Sequence, residues 1–109
     1  MKQMEFIAFY ECVLQAGKHQ GAPAVIYGYN ANKSCIVKCS FWEHEKLNMP
    51  GNGVENKIVN LNYDVSEYDR VLDLFRNERP LRLEFDARTG QGCIRTELEP
   101  VGEGEMLAH

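Results

Sequence analysis

Only one stretch of this chain repeats its apolar residues at helical spacing. Tyr68, Val71, Leu72 and Phe75 fall at i, i+3, i+4 and i+7 and form a single apolar stripe. Ser66 stands ahead of them as an N-cap, and Glu67 and Asp69 sit in the first turn, where the helix dipole favours acids. Arg76 and Arg79 lie near the end of the stripe, and Pro80 stops it. Elsewhere the apolar residues alternate with period two between turn signals. One helix cannot cover both sides of an open sheet. The chain is therefore expected to be mainly β, its sheet rolled on itself with the helix plugging one end.

Residues 4–16 read as a long first strand, with Phe6, Ala8, Tyr10, Cys12 and Leu14 on one face and Ile7, Phe9 and Val13 on the other, beside Glu5 and Glu11. A strand apolar on both faces belongs in the centre of a curved or closed sheet. Residues 17–21 turn, 23–29 form a second strand, and Asn30-Ala31-Asn32-Lys33 is a polar turn of hairpin length. The third strand, 34–43, alternates Cys35, Val37, Cys39 and Phe41 against Ile36, Lys38, Ser40 and Trp42. The charge of Lys38 assigns the first set to the core and turns Lys38 and Trp42 outward. Residues 44–56 read as a long loop with strong turn signals at Pro50-Gly51 and Asn52-Gly53. Residues 57–63 are a short strand segment, with Val59, Leu61 and Tyr63 opposite Asn60 and Asn62. After the helix, 81–88 alternates cleanly, 89–92 turns, and 93–99 closes the body with Ile94, Thr96 and Leu98 on one face. Three strands, a helix and two strands is the order of an OB-fold: a five-stranded barrel with its helix between the third and fourth strands. An α+β open sheet with the helix on one face is the rival architecture.

A chain of 109 residues, 44% hydrophobic and 26% charged, is one ordinary globular domain. We assign residues 1–99 to that domain and 100–109 to an acidic tail. No apolar run is long enough to span a bilayer, and the first residues lack the pattern of a secretory signal, so a cytoplasmic protein is expected. The net charge is −4 and unevenly spread: every lysine precedes Asp64 and every arginine follows it. Glu97, Glu99, Glu103 and Glu105 fall in the closing stretch, which contains no Lys or Arg. Such a tail aids solubility, or docks a protein partner.

Little here suggests catalysis. Gly51-Asn52-Gly53 lacks the lysine and following helix of a phosphate cradle, and no Ser or Cys sits in a nucleophile elbow. Cys12, Cys35, Cys39 and Cys93 lack the paired spacing of a zinc site and read as buried small apolar residues; His19, His44 and His109 form no ligand pattern. Glu84 and Asp86, and likewise Glu97 and Glu99, read as exposed strand faces neutralised by Arg82, Arg88 and Arg95. No enzyme activity, cofactor or metal is expected.

A binding surface is better supported. Tyr27 and Tyr29 share one face of the second strand, and Lys38 and Trp42 share one face of the third. Pairing through the 30–33 turn would interleave rings and ammonium groups, with Lys18, His19, Lys33 and Lys46 at the rim. Unpaired bases need this combination of flat π-faces and cations. In these features, across most of residues 4–99, the chain resembles the single-stranded-DNA-binding proteins of filamentous bacteriophages and, more broadly, OB-fold single-strand binders. The hairpin ending in Glu97-Leu98-Glu99-Pro100-Val101 adds to the likeness. The resemblance implies a cytoplasmic homodimer that coats replicating single-stranded DNA, with Tyr27, Tyr29, Lys38 and Trp42, and secondarily Lys18 and Lys33, at the nucleic acid. The alternative is a small acidic protein-interaction module that inhibits a host complex.

Overall fold

The computed structural model describes residues 2–17, 21–43 and 50–96. In chain order they form β1 (Lys2–Ile7), β2 (Phe9–Leu14), β3 (Ala24–Tyr29), β4 (Cys35–Trp42), β5 (Gly53–Glu55), β6 (Ile58–Asp64), a 3-10 turn (Val65–Glu67), α1 (Tyr68–Asn77), β7 (Leu81–Asp86) and β8 (Gln91–Thr96). The described residues are mainly β with one α-helix, as the periodicity requires. The strands make two sheets, β1-β7-β8 and β2-β3-β4-β6-β5.

The apolar first stretch serves both sheets. It breaks at Ala8: β1 pairs antiparallel with β7, and β2 pairs antiparallel with β3. The Ala8 amide donates to the Tyr29 carbonyl at 2.7 Å, anchoring the crossing point.

The sheets do not close into one five-stranded barrel, and the reason lies in residues 50–64. The expected long loop contains β5, which pairs with β6, and β6 runs parallel beside β4 from Val37↔Val59 to Trp42↔Asp64. This hairpin occupies the edge of β4 that a last strand would need for closure, so among the described residues β8 pairs with β7 alone. The helix accordingly follows β6 rather than the third strand. Its entry also differs from expectation. Asp64, still extended, accepts the Ser66 amide at 2.9 Å and caps the 3-10 turn, so Ser66 lies inside that turn and α1 starts at Tyr68.

The core joins the two sheets and the helix. Ile26, Val37, Phe41 and Leu61 from the larger sheet pack with Leu83 and Phe85 of the smaller sheet and with Val71 and Phe75 of α1. Full burial of such a side chain contributes roughly 1.5–3 kcal/mol. Phe41 organises the centre: its ring stacks on Tyr63 at 5.4 Å and meets Tyr68 edge-on at 5.0 Å. Burial pushes the Tyr63 and Tyr68 hydroxyls above their ordinary pKa. Two glycines permit the close approach. A Cβ on Gly28 would lie 2.6 Å from Val37 Cγ1 and 3.4 Å from Phe75 Cε1, and one on Gly92 would lie 2.5 Å from Leu61 Cδ2.

The alternation of β4 holds from Val37 to Trp42, with Val37, Cys39 and Phe41 in the core. The register shift beside Tyr29 upsets it before that, so Ile36, expected outward, is buried in the core and Cys35, expected inside, is half-buried opposite Tyr29. The cysteines divide more than expected. Cys39 is buried, which pushes its thiol up to about 12, and half-buried Cys35 is raised by the same cause. Cys12 and Cys93 are exposed, because they lie on the edge strands β2 and β8. On the β7–β8 hairpin, Glu84 holds Arg82 at 2.9 Å and Arg95 at 3.5 Å, while Arg88 lies 3.8 Å from Asp86. The arginine pairing expected there is present, but Glu84 and Asp86 are half-buried rather than exposed; Glu97 and Glu99 lie outside the described residues. Among those residues, no helix is long and apolar enough to cross a membrane.

Candidate functional site

Val37, Cys39 and Phe41 of β4 enter the core, so Lys38, Ser40 and Trp42, which alternate with them, lie on the other face of the strand. Cross-strand partners share a face, so the ladders build an outer surface residue by residue. Tyr27 lies between Glu11 of β2 and Lys38 of β4, and Lys38 is followed by Asn60 of β6. The next row runs Val13, Val25, Ser40, Asn62. Phe9 and Tyr29 pair at one end, and Trp42 stands two residues beyond Ser40 at the other. Tyr27, Tyr29, Lys38 and Trp42 therefore share one sheet face, and all are half-buried rather than sealed inside.

Lys33 reaches the same face. Asn30 shapes its turn: the Asn30 amide donates to Ser34 O at 2.9 Å, and its side-chain oxygen accepts from the Asn32 and Ser34 amides at 3.0 Å. This geometry holds Lys33 at φ 65°. Its ammonium lies 5.6 Å from the centroid of the Phe9 ring, within cation–π range. Lys18, His19 and Lys46 lie outside the described residues.

Trp42 borders a shallow groove of about 340 Å³ lined also by Lys38, Ser40, Gly53, Asn60 and Asn62. An asparagine chain fixes its wall. The Trp42 indole donates to Asn62 Oδ1 at 2.8 Å, Asn62 Nδ2 donates to Gly51 O at 3.1 Å, and the Asn62 amide donates to Asn52 Oδ1 at 2.8 Å. Asn52 Nδ2 donates in turn to Gly90 O at 3.0 Å, tying the segment to the smaller sheet. At the far end the Tyr29 hydroxyl donates to Glu11, and that bond, before burial, pushes the Tyr29 hydroxyl up to about 12.

Sequence reasoning missed Phe9, Glu11 and Asn62 as members of this face. Asn60 and Asn62 did alternate with Val59 and Leu61, which marks them as outward. The placement of Phe9 and Glu11 depends on the β2–β3 register, which alternation does not encode.

Two other hollows differ in character. One of about 500 Å³ beside the β7–β8 turn presents Glu84 and Asp86, whose carboxylates are held by arginines. Another of about 690 Å³ lies between the β1–β2 junction and the end of α1, lined by Phe6, Phe9, Tyr10, Phe75, Arg76 and Arg79. Among the described residues, no group of three His, Cys, Asp or Glu side chains is placed to hold a metal ion. Comparison with family models, with curated proteins and with solved structures gave no match to this chain.

Proposed function

We propose that this protein binds single-stranded DNA, without catalysis, on the outer face of its larger sheet. The supporting observation is the Tyr27–Lys38 cross-strand pair, with Trp42 farther along β4 and Lys33 over Phe9. Bases stack on the exposed faces of Trp42, Tyr27 and Phe9, while Lys38 and Lys33, with Lys18, meet the phosphates. The amides of Asn60 and Asn62 offer hydrogen bonds without demanding one base. A bent first strand that pairs on both sides, with a helix ahead of the last hairpin, supports an OB-like reading of residues 1–99. A cytoplasmic role on replicating DNA of a phage or mobile element is part of this proposal.

Trp42 is the only tryptophan and serves as the reporter. Titration with oligo-dT at low salt should quench its emission, and raising the salt should weaken binding because each released counterion then gains less entropy. Absence of quenching and of binding at low salt would overturn the proposal.

One observation favours a second reading as a protein-interaction module. On the outer face of the smaller sheet, Met4 and Phe6 are 60% and 55% exposed, opposite Glu84 and Arg82. A host-complex partner bound there would stay bound after nuclease treatment and be lost in Phe6→Glu.

A further inference from the structure

Among the described residues, strand β2 is an edge without the usual protection. All six of its residues are exposed, and five of them, Phe9, Tyr10, Cys12, Val13 and Leu14, are uncharged. Its one charge, Glu11, is already engaged by the Tyr29 hydroxyl. Edge strands are ordinarily blunted by shortness, charge, proline or a covering element. The opposite edge of the same sheet, β5, has three residues; in the smaller sheet, β1 carries Glu5 and β8 carries Arg95. Among the described residues none of these devices limits β2, and Leu14 at its end is 68% exposed.

The ladder identifies which backbone groups are free. Gln15 N donates to Pro23 O at 2.8 Å, and these residues continue the β2–β3 register, so they form a hydrogen-bonded pair. In an antiparallel ladder such pairs recur every second residue. Val13, Glu11 and Phe9 therefore direct their amides and carbonyls at β3, and Tyr10, Cys12 and Leu14 direct theirs at the open edge.

We propose that a second copy of this chain pairs with this edge, β2 against β2 and antiparallel, about a two-fold axis at Cys12. The free groups permit this register, and in it the one charge is kept away from its own copy. With Cys12 opposite Cys12 of the second copy, Tyr10 meets Leu14 and every free donor and acceptor of these residues is used. Glu11 then lies across from Val13. Sliding the pairing by one step, to place Tyr10 across from Cys12, would bring Glu11 against Glu11, a destabilising like-charge contact. A perpendicular two-fold also keeps sheet faces continuous, so the Phe9–Tyr29–Tyr27 surface of one copy runs on into that of the other. The surface thus extends the homodimer expectation to a definite strand, and it stands apart from the identity of the ligand.

The test is the mass of the full chain in solution together with cysteine cross-linking. The unmodified chain should sediment at twice its 12.5 kDa. Cys12→Pro should halve that mass with the circular dichroism spectrum kept, because proline removes an amide that faces the edge and not β3. Leu14→Lys provides a second edge variant should the proline disturb folding. Cα atoms of a hydrogen-bonded pair lie about 5.5 Å apart, within reach of a short thiol-to-thiol cross-linker. Such a cross-linker should therefore join the dimer through Cys12, and Cys12→Ser should abolish the link. A monomeric unmodified chain, a dimer that survives both edge variants, or cross-linking that runs through Cys93 instead would overturn the proposal.

Discussion

The Trp42 indole and the Asn62 side chain, on neighbouring parallel strands, are joined by a 2.8 Å hydrogen bond that sets the ring against the groove. Removing the partner and removing the ring should have separable effects. Trp42→Ala should weaken oligo-dT binding by about 1–3 kcal/mol, the stacking contribution of one base. Asn62→Ala keeps the ring but frees its orientation. A smaller loss of affinity is expected, with a red-shifted emission and a stability loss of about 1 kcal/mol. Fluorescence titration and urea melts of both variants check this.

The salt dependence of binding should report individual lysines. For single strands, each phosphate contact contributes about 0.7 to the slope of log affinity against log salt. Lys38→Gln, beside Tyr27, should lower that slope by about this amount. Lys57→Gln, off the cross-strand rows that build this face, should leave it unchanged. A slope unaffected in the Lys38 variant would remove that lysine from the phosphate path.

Gly28 should tolerate no side chain. A Cβ there would stand 2.6 Å from Val37 Cγ1 and 3.2 Å from Ile7 Cγ2, both apolar groups at the junction of the sheets. Gly28→Ala should destabilise the fold by about 1–3 kcal/mol, as overpacking does. The change should show as a lower urea midpoint with an unchanged slope.

Much of this architecture is legible in the residues. The stripe through Val71 and Phe75 locates the helix to within a residue, and the charge on Lys38 sorts the faces of β4 and hence of Tyr27 and Trp42. Three features were hidden for physical reasons. The break at Ala8 carries no glycine or proline, because a strand can change sheets by bending alone. Strand β5 lies in a segment that begins Pro50-Gly51-Asn52-Gly53, where turn chemistry masks a three-residue pairing. The parallel course of β6 beside β4 leaves no local mark, since alternation reads the same in either direction. That last feature decides whether the sheet closes, and it also brings Asn60 and Asn62 onto the face of Lys38 and Trp42.

Glu84 sits between two arginines that are themselves cross-strand partners, Arg82 and Arg95. Its side chain is 14% exposed, so the carboxylate is screened less than a surface acid. Glu84→Gln removes the negative charge that keeps the two guanidinium groups compatible. A loss of about 1.5–3 kcal/mol is expected, in the range of hydrogen bonds to charged groups. Glu55→Gln, on an exposed edge, should cost far less, and thermal melts of the two variants make the comparison.

The Tyr29–Glu11 bond predicts a loss of stability in alkali. Its donor is the neutral phenol, so the bond favours the protonated form and raises the hydroxyl from 10.0 to about 12. An acid whose pKa is higher in the folded chain binds more protons there than in the unfolded chain. Its contribution is therefore fully present below pH 10 and declines as the pH rises toward 12. Tyr29→Phe has no such proton to lose. The variant should be less stable than the unmodified chain at neutral pH, and the difference should shrink across that alkaline window. Urea melts of the two proteins at matched pH values measure the difference directly. A difference independent of pH would mean that the Tyr29 hydroxyl gains nothing from Glu11 in the folded state.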